Sequence, residues 1–255
     1  MRRAPEALRL ATWGPPLVAF GLVLVIWQVL AVHNHFLLPT LGSVISQLVH
    51  DPGTYLANGG DTLAEALPGV AISYAIALLL AIAMVQSRLV SRAVLPLAVV
   101  LNVTPLIAIA PALVVAFSFG RTPRVALTAL ITFFPALIYS LTGLRAADPQ
   151  ALEVLQTLHA SRWETLWRLR LPSSLPYQFA AARVVVPLAI IGAAVSEMVS
   201  PGVGSGLGWL INTASTNSQL DIAWAGIATL AALGLVMMAI VVVTEDRVLR
   251  WRGFR

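Results

Sequence analysis

The sequence predicts an all-α polytopic membrane protein with six transmembrane helices, and three observations carry the prediction. Charged residues make up only 11% of the 255 residues, where soluble domains carry roughly 25%. Mean hydropathy is +0.86. Six apolar runs approach the ~20 residues that a helix needs to cross a bilayer, and no polar stretch between them is long enough for a soluble domain. The chain 1–255 is therefore one transmembrane domain. Its formal charge is +5. In a chain this apolar, a basic balance points to arginine-rich loops at a membrane surface and not to nucleic acid. There is no cysteine, which excludes a disulfide framework and a thiolate metal site.

The first run, 15–32, follows Arg2, Arg3 and Arg9. It is long for a signal-peptide core, and its exit, VLAVHNH, lacks a clean small-x-small cleavage site. It therefore reads as a retained span, short enough to need flanking residues. His33-Asn34-His35 follows; without a clustered carboxylate the two histidines are weak metal ligands, and loop polarity explains them more simply. Thr62-Leu63-Ala64-Glu65 fits a capping box leading into the second span, 66–86. The third span, 93–117, holds Asn102, Thr104, Pro105 and Pro111. The fourth, 125–144, is punctuated by Thr128, Thr132, Tyr139 and Ser140. The fifth, 179–199, ends with Ser196 and Glu197, and the sixth is 222–243. Between the last two, the glycines at 202, 204, 206 and 208 read as a flexible external turn, or as a gate loop against a partner.

Arginine sets the orientation. Three arginines precede the first span and two, Arg88 and Arg92, separate the second from the third. Four more (Arg145, Arg162, Arg168, Arg170) separate the fourth from the fifth, and four (Arg247, Arg250, Arg252, Arg255) follow the sixth. The opposite side holds only Arg121 and Arg124. This asymmetry places both termini and the 145–178 connection in the cytoplasm.

That connection is too polar to span, yet patterned. Asp148-Pro149 starts a helix, with Leu152, Leu155 and Leu158 on one face. Ser161-Arg162-Trp163-Glu164 is a second capping box, so the first helix ends near His159. A second helix carries Trp163, Leu166, Trp167 and Leu169 and is expected to stop before Pro172. Two uses fit this helix–turn–helix: an amphipathic element lying on the membrane, or a plug for a partner's groove.

Glu153-Val154-Leu155, His159-Ala160-Ser161, Leu171-Pro172 and Pro176 resemble the "EAA" loop of binding-protein-dependent ABC importer permeases. LLPTLGSVISQL, DTLAEALPGV, the prolines from Pro96 to Pro111, IGAAVSEM and GSGLGWLI extend the resemblance over nearly the whole chain. They point to the nitrate/sulfonate/bicarbonate/taurine branch, which includes thiamine-pyrimidine-precursor permeases; VVVPLAIIGAAVSE resembles the latter slightly more. The resemblance implies a type I importer permease in the bacterial inner membrane. Residues 149–162 would be its coupling helix, with Leu152, Glu153, Leu155, Leu158, His159, Ala160, Ser161 and Arg162 meeting an ATPase. Glu153 would pair with a basic residue of that subunit or brace the turn. It implies two cytoplasmic ATPase subunits, a second permease copy, an extracytoplasmic binding protein and alternating access. Two positions depart from the pattern. His159 replaces a glycine that would sit at a left-handed helix end, and Val154-Leu155 replace two alanines, which asks for a wider groove.

The chain has no lysine and so no P-loop. ATP and magnesium would belong to the partner ATPase, and this chain would bind no cofactor. No nucleophile–base pair stands out. The polar residues of the spans, Asn102, Thr104, Pro105, Thr132, Ser196 and Glu197, read either as lining the translocation path or its gate, or as interhelical hydrogen-bonding and helix-shaping groups. For Glu197 the options are a structural bond, path lining or a proton relay. The last would suit an autonomous, ion-coupled secondary transporter, the competing function.

Overall fold

The computed structural model describes residues 6–34, 38–199 and 204–251. Arg2, Arg3, His35, Gly202, Arg252 and Arg255 lie outside the described residues. Those that are described are almost all helical: α1 (Glu6–His33), α2 (Leu41–His50), α3 (Pro52–Gln86), α4 (Arg88–Val103), α5 (Leu106–Phe117), α6 (Arg121–Arg145), α7 (Pro149–Thr157), α8 (Arg162–Thr165), a π turn (Leu166–Arg170), α9 (Leu171–Val199), α10 (Leu207–Thr216) and α11 (Leu220–Trp251).

Four helices are long and apolar enough to cross a membrane: α3, α6, the continuous helix from Arg162 to Val199, and α11. The pair α4–α5 makes a fifth if taken as one span, and the apolar part of α1, Leu17–His33, is shorter. The centre is α3, α6 and α9, which pack on one another. Small residues let these backbones approach. A methyl at Gly143 would lie 2.7 Å from Tyr177 Cβ, and one at Gly69 2.7 Å from Thr128 Cγ2. Ala77, Ala81, Ala136, Leu137, Leu144 and Val185 fill the middle. Polar bonds tie the helices as well: Tyr74 donates to Gln178 O (2.6 Å), and Ser140 to Gln178 Oε1 (3.1 Å). α11 packs on α9 and is tied to it by Arg183–Glu245 (2.6 Å). α1 is peripheral and docks through Trp27, whose ring meets Trp224 edge-on at 4.3 Å.

Three expectations are corrected. First, the third span is not one helix. It breaks at Thr104-Pro105 with a bend of 100°. Thr104 is extended (φ −69°, ψ 132°), the geometry that a following proline imposes. Pro105 has no N–H to continue the ladder, and α5 restarts with Ala108 N–H donating to Pro105 O (2.8 Å). Second, Thr62–Glu65 do not cap a helix. α3 starts at Pro52, capped by Asp51, whose carboxylate accepts the Thr54 N–H (3.2 Å) and hydroxyl (2.6 Å). Thr62 and Glu65 are therefore free for tertiary contacts. Third, the helix after Ser161 does not stop before Pro172. A π turn widens it at 166–170, and it continues as α9. The wider turn removes the collision between a proline ring and the carbonyl four residues earlier.

Candidate functional site

Two constructions stand out, near opposite ends of α6 and α9. The first is the 145–178 connection. Asp148 caps α7 by accepting the Gln150 N–H (3.0 Å). The far end closes as a Schellman motif: the Ala160 N–H reaches Leu155 O (2.9 Å), the His159 N–H reaches Gln156 O (3.0 Å), and His159 is left-handed at φ 52°. His159 thus takes the turn position that favours glycine. Ser161 and Glu164 form the expected reciprocal box, with the Ser161 N–H on Glu164 Oε2 at 2.8 Å and the Glu164 N–H on Ser161 Oγ at 3.2 Å. These bonds from Ser161, backbone first, hold the Glu164 carboxyl below the usual glutamate range. A mutual link, Gln86 Nε2 to Arg162 O (3.3 Å) and Arg162 to Gln86 O (3.4 Å), seats the start of α8 on the end of α3.

No residue of α7 is buried. Leu158 is 70% exposed and Val154 57%, while Leu152 and Leu155 are partly covered. Glu153 is exposed and makes no hydrogen bond or ion pair with another described residue, so it does not brace the turn. A short helix rigidly capped at both ends and apolar in the open has the form of an insertion element.

The second construction is a polar clasp. Asn58, Thr62 and Glu65 follow one another at four and three residues and so share a face of α3. Asn58 Oδ1 accepts the Gly206 N–H (2.9 Å) and Thr62 Oγ1 the Leu207 N–H (2.9 Å). Glu197, from the end of α9, accepts the Gly208 N–H on Oε2 at 2.6 Å. These are the otherwise unpaired donors at the start of α10, each met by a side chain from another helix. Arg124, in the first turn of α6, donates to Glu65 Oε1 (3.2 Å) and to Ser205 O (3.1 Å). The Glu65 and Arg124 side chains are fully buried, and Glu197 nearly so. The glycines are required here. Gly206 has φ 103°, and a methyl on it would strike the Glu197 carboxyl; one on Gly208 would strike Ala194 O. The 204–208 segment is accordingly a packed turn and not a flexible one.

The clasp takes in Glu197 but few other path candidates. Ser196 is buried beside it and donates to Ala193 O (2.7 Å) in its own helix. Thr132 is buried and donates to Thr128 O (2.9 Å). Asn102, Thr104 and Pro105 lie apart, at the α4–α5 break. There Thr104 Oγ1 donates to Val100 O (2.7 Å), and Asn102 is exposed. The sequence does not single out Asn58, and it marks Glu65 only as a helix cap and Arg124 only as a loop arginine. Hydropathy assigns Arg124 to a loop, and its partner lies 59 positions away. The available signal is that Arg121 and Arg124 are the lone basic residues of their side. Arg121 also finds an acid, Asp61.

Comparison with known proteins bears on both constructions. Residues 73–250 match the family described as "binding-protein-dependent transport system inner membrane component". The formylaminopyrimidine transport permease protein of Halalkalibacterium halodurans is 32% identical over 99% of this chain and 99% of its own. The putative aliphatic sulfonates transport permease protein of Bacillus subtilis is 26% identical over 99% and 92%, and the nitrate import permease protein of Leptolyngbya laminosa 26% over 92% and 87%. With its membrane-length helices, the chain belongs to the family of binding-protein-dependent inner membrane components, the permeases of ABC transporters.

Proposed function

We propose that this chain is the transmembrane subunit of an ATP-driven importer for a small polar solute that an extracytoplasmic binding protein delivers. The observation that carries this is α7: a helix capped at both ends, with none of its residues buried, inside the matched region. In this reading α7 seats in a groove of a separate ATPase, with Leu155 and Leu158 as apolar anchors and Glu153 offered to a basic residue there. Two ATPase subunits serve two permease copies. α1 and the bent α4–α5 pair complete six crossings, and both termini are cytoplasmic. ATP and magnesium are handled by the partner. Its closure on ATP moves α7, and the α6–α9 bundle follows, exchanging inward and outward access. The role of Glu197 as a cap for α10 leaves it poorly placed as a proton carrier, which disfavours the autonomous transporter.

A mild-detergent pull-down from native membranes, with mass spectrometry of what accompanies the chain, tests this. The expected outcome is a stoichiometric ATPase subunit that is lost in the Glu153→Arg, Leu155→Arg double variant. A chain that purifies alone in several detergents, yet transports in vesicles without ATP, would refute it.

A further inference from the structure

Five arginines gather where the α3–α4 turn meets the end of α6 and the π turn. Two cavities, of about 390 and 700 Å³, open there and share Val85, Arg88 and Arg170. The first is walled by Arg88, Arg92, Arg145 and Arg170 with Ser91 and Met84, and the second adds Arg162. No carboxylate lines either cavity. Elsewhere in the described residues arginines commonly find acids, as in Arg121–Asp61, Arg124–Glu65, Arg168–Glu164, Arg183–Glu245 and Arg250–Asp246. The five here bond only neutral acceptors or nothing. Arg145 donates to Ser91 Oγ (2.9 Å), Arg170 to Leu144 O (2.9 Å) and Arg162 to Gln86 O. Arg145 and Arg170 are near enough to repel each other.

Arg88, Arg92, Arg145 and Arg162 are exposed and Arg170 is half-buried, so the cluster offers an anion uncompensated and accessible positive charge. Guanidinium forks match phosphate oxygens. Exposed aromatic side chains nearby point to the source. Trp163 and Trp167 are 62% and 66% exposed on the same connection, and exposed tryptophans favour the headgroup level of a bilayer. Leu89 and Leu97 of α4 are likewise bare. We propose that these arginines form a binding site for a phosphate-bearing anion, filled in the membrane by the headgroup of an anionic phospholipid. The bound phosphate would bridge the first turn of α4, the last turn of α6 and the π turn. Only the assignment to the cytoplasmic leaflet rests on the function proposed above.

The full-length chain, purified in dodecyl maltoside, is titrated with phosphatidylglycerol and followed by native mass spectrometry. Phosphatidylcholine serves as the zwitterionic control. Each arginine near a phosphate surface contributes enough that removing two weakens binding roughly thirtyfold. That loss is expected for Arg145→Gln/Arg170→Gln and for Arg88→Gln/Arg92→Gln, whose side chains on α4 are exposed and free of bonds. Binding is expected to be largely kept in Arg145→Lys/Arg170→Lys, which preserves the charge. Arg247→Gln/Arg250→Gln, in a cavity that holds Asp246, should be unchanged. Displacement of the lipid by low-millimolar inorganic phosphate would support the anion site and move its source to solution. Unchanged affinity in both glutamine pairs, an equal loss in the Arg247/Arg250 control, or displacement of the lipid by added ATPase subunits would overturn the proposal. A pull-down without ATPase leaves the variant and phosphate titrations unaffected, so the two failures are distinguishable.

Discussion

Arg124 is the residue whose removal tests the clasp most sharply. It is the cation of a buried pair with Glu65, both side chains having no exposure, and it also donates to Ser205 O in the turn before α10. Arg124→Gln leaves Glu65 buried without its counter-charge and Ser205 O without its donor, a change that typically costs about 3–5 kcal/mol. Glu65→Gln strands the Arg124 guanidinium, which cannot shed its proton, and is expected to cost a similar amount, about 3–5 kcal/mol. The double variant replaces the ion pair with two amides. It should recover part of the Arg124→Gln loss and show a coupling of roughly 2 kcal/mol. The assay is reversible unfolding of the four proteins in one detergent at pH 7.5. Additivity to within about 0.5 kcal/mol would refute the view that Arg124 and Glu65 act as a coupled buried pair.

Further outcomes follow from the same geometry. Gly206→Ala, at φ 103° and against the Glu197 carboxyl, should strongly reduce the yield of folded protein in a detergent thermal-shift assay; Gly204→Ala, whose nearest contact would be 3.5 Å away, should not. His159→Gly should relieve the left-handed turn at φ 52° and stabilise the end of α7 by about 0.5–1 kcal/mol, read as slower amide exchange at residues 158–160. The lowered Glu164 carboxyl means that the start of α8 gains stability above the usual glutamate range and loses it as pH falls through the lowered value. NMR protection of the Ser161 and Glu164 amides should follow that course, and protection that persists fully at pH 2 would contradict it.

Most of the architecture was legible because it is written in short-range or compositional signals. Apolar length located the α3, α6, α9 and α11 crossings. Ser161 and Glu164, three residues apart, announced their capping box, and Asp148-Pro149 the start of α7. Proline was the ambiguous letter. Pro105 broke its span where a continuous helix was expected, whereas Pro172 was absorbed where a stop was expected. The difference is made upstream: Thr104 is forced extended, while the 166–170 turn widens. Nothing in a lone proline distinguishes the two. The clasp was hidden for another reason. Its groups come from α3, α6, α9 and the turn before α10, and the bond from Gly206 to Asn58 crosses 148 positions. The Thr62–Glu65 spacing suits a capping box and a tertiary face equally well. Only the placement of Asp51 as the true cap removes the first.

The clasp and α7 are joined by the same two helices. α6 runs from Arg124, near one end, to Arg145 at the other, and its 25 residues extend about 37 Å. α9 runs from Glu197 back through the π turn into α8, without a break from Val199 to Arg162. The two helices pack closely along that length, with Gly143 against Tyr177 at one end and Gly192 against Thr128 and Ile131 towards the other. A displacement applied at α7 therefore enters a helix pair with little room for internal slip. The turn it reaches is held by directed bonds to Asn58, Thr62, Glu197 and Arg124. Such bonds are short-ranged and resist gradual stretching, so the turn either moves with α3, α6 and α9 or lets go. This favours a clasp that responds in discrete steps, and it makes the Arg124–Glu65 pair a determinant of where that step lies.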